Sequence, residues 1–282
     1  MRATADSGNG QNANELNEYR SIKKFHNISY ANEGYRSMTT ELDLAQQLFE
    51  AHKDGRQDVD AAPFSTLDRA AAYRIQARVL DMLGEKPALL KTLIAADGVG
   101  VAAPIYGSRV GQSGSYRTSA KTVTGLEVEV GLVLAHDLSV ETAINDEAAI
   151  ADAIDHYFVG VEICGRRYAD PKLAGANGPL ADGASAYGYV INPKPREFGA
   201  DIENFDVSLE FNGKQIHAGP AKHSFGTVLA SFLAYAKAQY PAYPLRAGTV
   251  ITTGSLCGMV PVSGPGHAIA RFGSHEVTLD LI

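Results

Sequence analysis

The run Gly125-Leu126-Glu127-Val128-Glu129-Val130-Gly131-Leu132-Val133-Leu134 limits what this chain can fold into more than any other segment. Its β-branched, apolar majority reads as a strand. Side chains two apart on a strand share a face, so Glu127 and Glu129 project together while Val128 and Val130 face the other way. Two like charges are therefore aimed at one place. On a solvated face they would be ordinary surface glutamates. On a buried face each unpaired carboxylate would cost several kcal/mol unless it were protonated or met a cation. A divalent ion suited to oxygen ligands, Mg²⁺ or Mn²⁺, would satisfy both at once. A third acid, Glu162, closes another apolar run, Tyr157-Phe158-Val159-Gly160-Val161-Glu162-Ile163-Cys164, and needs a partner too. Sequence offers either such a cation or the neighbouring Arg166 and Arg167.

The segments around these runs set the fold class. Thr39-Thr40-Glu41 reads as a helix start, followed by Leu42, Ala45, Leu48 and Phe49 on one face and by Gly55 beyond the end. Ser65-Thr66-Leu67-Asp68 has capping-box spacing, and Ala72, Ile75, Val79, Met82 and Leu83 form a stripe that stops at Gly84. After Lys91, short apolar runs alternate with turn signals. Strands are expected at 126–134, 159–163, 187–191, 206–211, 249–253 and 276–281, with Asn212-Gly213 as a hairpin turn. Two helices are expected among them, at 146–157 and at 227–239, the second stopped by Pro241. Helices and strands do not alternate strictly, which disfavours a doubly wound parallel sheet and favours an α+β fold with a curved mixed sheet. Residues 1–37 are polar, rich in Asn and Gly and without a period, and are expected to be a disordered tail or a mis-assigned start upstream of Met38.

Charge and cysteine usage exclude several roles. Lys and Arg number 25 against 32 Asp and Glu, a net charge of −7 spread along the chain. That argues against a nucleic-acid or anionic-membrane surface. No apolar stretch approaches the roughly 18 residues a membrane span needs, and the first residues lack the apolar segment of a secretory signal. Cys164 and Cys257 are the two cysteines, neither in a CxxC pair, which reads as free thiols acting as small core residues in a reducing, cytoplasmic compartment.

Taken in order, the motifs resemble the hydratase/decarboxylase branch of the fumarylacetoacetate hydrolase superfamily. The resemblance covers residues 38–282 and rests on Leu126-Glu127-Val128-Glu129 followed by Leu132-Val133-Leu134, then Val161-Glu162-Ile163 with Gly165 and Arg167. It continues through Leu180-Ala181-Asp182-Gly183-Ala184-Ser185, Leu245-Arg246-Ala247-Gly248, Thr253-Gly254-Ser255-Leu256 and Met259-Val260. It implies a helical part over 38–105 and a catalytic β-roll over 106–282. It also implies Mg²⁺ or Mn²⁺ on Glu127, Glu129 and Glu162, and a homo-oligomer or a complex with a related decarboxylase or hydratase. The activity implied is metal-dependent hydration of a 2-hydroxydienoate or 2-oxo-enoate, with decarboxylation of an oxalocrotonate-type acid as the alternative. A non-catalytic partner subunit is the reading from another class.

Lys91 lies in an apolar run where a lysine can simply snorkel. The resemblance places an active-site lysine there, to hold a substrate carboxylate or, if its pKa falls, to move a proton. Asp182 and Ser185 fall in the family's Ala-Asp-Asn-Ala-Ser signature. There the serine hydroxyl would bind substrate or orient a water, and a turn-stabilising Asp and Ser is the equal alternative. The chain departs from the family at Gly183 for Asn, Phe225-Gly226-Thr227 for Gly-His-Pro and Thr249 for Asp, and it lacks glycines around Lys91. His217, His223, His267 and His275 show no metal-ligand spacing, and Gly264-Pro265-Gly266 reads as a turn.

Overall fold

The computed structural model describes residues 41–194 and 202–282, so the expectation for residues 1–37 lies outside the described residues. Contacts divide the chain into Met1–Asp43 and Leu44–Ile282, and apart from residues 41–43 of the first helix the second unit holds everything discussed below.

Helix α1 (41–54) turns Leu44, Ala45, Leu48 and Ala51 inward and leaves Leu42, expected on that face, exposed, because Leu44 lies on the buried side instead. Helix α2 (Arg69–Leu83) starts later than the capping-box spacing suggests. Asp68 is its N-cap and accepts from the Ala71 amide at 2.7 Å, and Gly84 ends it at φ 67°. Ala72, Ile75 and Val79 are buried as the stripe requires.

The stretch after α2 corrects the idea that residues 38–105 are a helical part. β1 (Pro87–Ile94) and β2 (Gly100–Tyr106) are antiparallel strands of the large sheet. Their uniformly apolar sequence hides a period of two because both faces are covered. Next come β3 (Val110–Gln112), β4 (Arg117–Thr118), β5 (Val123–Leu134), short helices α3 (Val140–Asn145) and α4 (Glu147–Asp152), and β6 (Ile154–Gly165). The helix expected at 146–157 therefore stops at Asp152. Ile154 and Tyr157 fit a helical stripe, but a twelve-residue ladder against β5 takes them.

The remaining elements are α5 (Gly178–Ala181), β7 (Ala186–Ile191), β8 (Asp206–Phe211), β9 (Lys214–Pro220), α6 (Ala230–Ala236), β10 (Val250–Ser255), β11 (Val260–Pro261), β12 (Gly266–Phe272) and β13 (His275–Leu281). The helix expected at 227–239 is thus shorter at both ends. Asn212 and Gly213, at φ 52° and 76°, make the expected tight turn between β8 and β9.

The large sheet runs β2-β1-β10-β5-β6-β7-β3, with β11 also on β5. The smaller runs β4-β13-β12-β8-β9. Parallel pairs (β1 with β10, β3 with β7, β4 with β13) sit among antiparallel ones, which makes this a mixed α+β fold with a curled, half-barrel sheet. Val128, Val130, Val161 and Ile163 are fully or almost fully buried, so the two central strands are enclosed. Helix α6 packs on β1 and β2 and covers one side of that sheet.

Candidate metal centre

Register brings the charged residues together. Glu127 on β5 stands opposite Glu162 on β6, and Glu162 stands opposite Tyr189 on β7. On the other side of β5, Glu129 pairs with Ser255 of β10, and Lys91 of β1 pairs with Thr252 of β10. Five neighbouring strands thus present polar side chains at one level of an otherwise apolar sheet. Glu129 and Glu162 have no exposure, and the side chains of Lys91 and Glu127 retain only 8% and 16%.

Lys91 is the nearest counter-charge. Its Nζ donates to Glu162 Oε1 at 2.6 Å and to the Ala184 carbonyl at 3.3 Å, and lies 3.9 Å from Glu127 Oε2. Burial pulls its pKa down, but Glu162 and Glu127 more than offset that and hold it above its ordinary value. Lys91 is therefore an ammonium rather than a free base. Three carboxylates against one ammonium still leave excess negative charge. Burial, then the neighbouring carboxylates, push Glu129 well above the usual range. Burial, opposed by Lys91, leaves Glu162 at about 7.

Glu129 accepts a hydrogen bond from Thr252 Oγ1, which lies 3.3 Å from the Tyr189 hydroxyl. Tyr189 reaches that point because Gly160 lies under its ring, where a Cβ would come within 2.2 Å of the ring carbon. Two oxygens, Glu129 Oε1 and Glu162 Oε2, are buried without a hydrogen-bond partner. A ligand oxygen from Glu127, one from Glu162 and the Cys164 sulfur lie within 4.8 Å of one another. Orphaned buried carboxylate oxygens beside a converging donor set fit a divalent cation.

Asp182 makes the contacts of a turn-holding carboxylate. It accepts from the Arg167 amide at 3.0 Å and from Arg167 Nε, while Arg167 also donates to the carbonyls of Asp182 and, at 3.2 Å, Ala186. Arg167, offered by the sequence as a partner for Glu162, is thus committed to Asp182, and both side chains are buried. The pair anchors the turn in which Gly183, Ala184 and Ser185 have φ of 67°, 53° and 64°. Gly183 adopts that conformation without strain. Ser185 is half-buried, next in sequence to the carbonyl that meets Lys91. Thr249, another departure from the family pattern, accepts from the Arg246 amide at 3.0 Å and so closes a turn.

Sequence reasoning missed two groups. Cys164, read as a core residue, shares the carboxylate cluster, and its two-residue spacing from Glu162 was the available signal. His52 on α1 has its Nε2 3.3 Å from the Tyr106 hydroxyl and 3.9 Å from Asp182 Oδ1. Burial, then Arg167 and Arg109, hold its pKa well below the ordinary value. No local pattern marks it, because its partners are distant in the chain.

A mixed sheet carries, between its central strands, a buried carboxylate cluster whose donors fit a divalent cation. The model of the fumarylacetoacetate hydrolase C-terminal family matches residues 102–280, and the chain belongs to that family. Two solved structures of 4-oxalocrotonate decarboxylase from Pseudomonas putida G7 are similar to it. One is complexed with magnesium and adipate (21% identity, TM-score 0.73) and the other with calcium and acetate (22%, 0.71), and each match covers 87% of this chain and 98% of that one. A fumarylacetoacetate hydrolase family protein from Yersinia pestis CO92 matches at 16% identity and a TM-score of 0.51, over 69% of this chain and 92% of its own. At these identities the likeness is one of fold. Among the described residues no helix is long and apolar enough to cross a membrane.

Proposed function

We propose that this protein is a metal-dependent lyase that adds water to a 2-hydroxydienoate or 2-oxo-enoate. The observation that carries the reading is the buried group of Glu127, Glu129 and Glu162 beside the Lys91 ammonium, with two carboxyl oxygens left without partners. Glu127, Glu129 and Glu162 would hold Mg²⁺ or Mn²⁺. Such an ion supplies Lewis acidity to the carboxylate and 2-oxygen of a 2-oxo acid.

The chain's own residues do the rest. Lys91 carries a proton on a side chain buried beside the carboxylates, and with its pKa held above the ordinary value it is placed to pair with a substrate carboxylate. Ser185 would orient the water that adds at the distal carbon. Asp182 and Arg167 act by fixing the turn that carries Ser185. Gly183 and Thr249 both have structural roles in turns. The protein would work as a homo-oligomer or together with a related decarboxylase or hydratase, in the cytoplasm.

Decarboxylation of an oxalocrotonate-type acid is the second reading, favoured by a match spanning 98% of a decarboxylase that was solved with a dicarboxylate, adipate. Product analysis by NMR separates the two. With Mg²⁺ or Mn²⁺ present, a hydroxylated 2-oxo acid formed from a 2-hydroxydienoate supports hydration. Loss of CO₂ from an oxalocrotonate supports the second reading, and turnover of neither leaves the non-catalytic partner subunit.

A further inference from the structure

Two arginines lie close to Glu162 in the chain, and the structure spends neither on it. Lys91 pairs with Glu162 and Arg167 with Asp182, which leaves Arg166 outside both pairs. Its side chain is nevertheless tucked in, because the residue is half-buried and its Nε is buried without a hydrogen-bond partner. A buried guanidinium nitrogen with no acceptor is a costly state that an incoming carboxylate relieves.

Arg166 is the first residue beyond β6, and alternation fixes the face it takes. Glu162 and Cys164 share a face, since their ligand atoms lie within 4.8 Å of each other. A Gly165 Cβ would lie 3.0 Å from the Tyr187 Cβ on the other face, and Arg167 follows it there by donating to the Ala186 carbonyl at 3.2 Å. Arg166, between those two, continues the row of Glu162 and Cys164. One end of that row is closed. The Phe158 and Tyr189 rings fill the space where Gly131 and Gly160 lack a Cβ, and both aromatic residues are almost fully buried. The other end is open: Glu127 keeps 16% exposure, and Met259, whose Cγ sits over Gly125 opposite Cys164, keeps 48%. A molecule held at Glu127, Glu129 and Glu162 therefore extends toward the Arg166 end.

We infer that Arg166 anchors a second carboxylate, so that the substrate is a 2-oxo or 2-hydroxydienoic acid whose far end carries a carboxylate rather than an alkyl group. The inference rests on the 2-oxo acid reading above and adds the substrate's class to it. Glu162 and Arg166 lie roughly 13 Å apart along the chain, a gap that a diacid of about six carbons and an arginine side chain reaching back fill together. Charge agrees with this. A dication and the Lys91 ammonium offset the three carboxylates, so a second anionic group needs a further cation, and a planar guanidinium meets a carboxylate through two parallel hydrogen bonds.

The test uses the full chain with Mg²⁺ and two saturated ligands of equal length, 2-oxohexanedioate and 2-oxohexanoate, which differ only in the far carboxylate. Binding is measured by calorimetry, without any assay of activity. Hydrogen bonds to a charged group are worth about 10- to 100-fold in affinity, so the wild-type protein should prefer the diacid by that factor. Arg166→Met keeps the apolar stem and should bring diacid affinity down to that of the monoacid, while monoacid affinity changes less than about twofold. Arg166→Lys should recover part of the preference.

Equal binding of the two ligands by the wild-type protein overturns the proposal whether or not a variant folds, and so does a preference that survives in Arg166→Met. Loss of both ligands in Arg166→Met and Arg166→Lys alike would show a structural role and overturn it as well. If the wild-type protein binds both ligands equally, the 2-oxo acid reading stands and only the anchor falls. If it binds neither, that reading fails with it.

Discussion

Lys91 Nζ donates to Glu162 Oε1 at 2.6 Å across the large sheet, joining two side chains that are almost completely buried. Removing one partner of such a pair leaves the other charge in a low-dielectric site, a loss of about 3–5 kcal/mol. In metal-free Lys91→Met, urea unfolding should show a loss of that size, with much of it recovered in Lys91→Met/Glu162→Gln. Turnover of the preferred 2-oxo acid by folded Lys91→Met should fall by about 10²-fold or more, the scale of removing one partner of a buried charge pair. Near-normal turnover would reject the catalytic role, and additive stability losses would reject the pairing.

Divalent ions should stabilise the fold through the same carboxylates. A ligand present at about 100 times its dissociation constant adds about 2.7 kcal/mol, so Mg²⁺ or Mn²⁺ should raise the melting temperature of chelator-treated protein. Glu127→Gln leaves Lys91 paired with Glu162 and should bind these ions at least about tenfold more weakly by calorimetry. Unchanged binding would remove Glu127 from the ligand set.

Arg167 and Asp182 predict a structural effect that differs from that of Lys91. Either Arg167→Met or Asp182→Leu uncovers a buried charge and should cost about 3–5 kcal/mol, while the double substitution should be markedly less destabilised than the sum. Denaturant titration of the three variants provides the check. If Asp182→Leu folds as stably as the wild-type protein, the anchoring of the 183–185 turn by this pair is wrong.

His52 should make stability fall in mild acid. Burial and the nearby Arg167 and Arg109 depress its folded pKa, while the unfolded value is near 6.5. Below that value the unfolded chain binds a proton that the folded chain resists, so the stabilisation is complete above about pH 6.5 and is lost as pH falls. Between about pH 7.5 and 5.5 the wild-type protein should lose roughly 1 kcal/mol more than His52→Gln. Equal losses in urea titrations would show that His52 is protonated in the native state.

Much of the site was legible because a strand's two-residue period is a local property. It alone put Glu127 and Glu129 on one face, and the apolar run around Glu162 announced that its carboxylate would need a partner. Local turn chemistry likewise placed the Asn212-Gly213 hairpin. The partner itself was not legible. Glu162 found Lys91, 71 residues away, rather than the adjacent Arg167, because β1 and β6 are brought to the same level through β10 and β5. Nor could a helical stripe at Ala149, Ile150, Ala153, Ile154 and Tyr157 foretell its own division, since the pairing of β5 with β6 is a long-range choice.

By itself the sequence determined which stretches are strands with carboxylates on a shared face, where turns reverse the chain, and that the acidic groups would need neutralising if enclosed. These follow from backbone geometry and side-chain chemistry over a few residues. Only the tertiary structure decided that the face is enclosed, that Lys91 neutralises Glu162 while Arg167 is spent on Asp182, and that the Cys164 sulfur joins the carboxylates. Burial and ion pairing depend on strand order and register, and register is set by packing both faces of the sheet at once, which no local window of sequence contains.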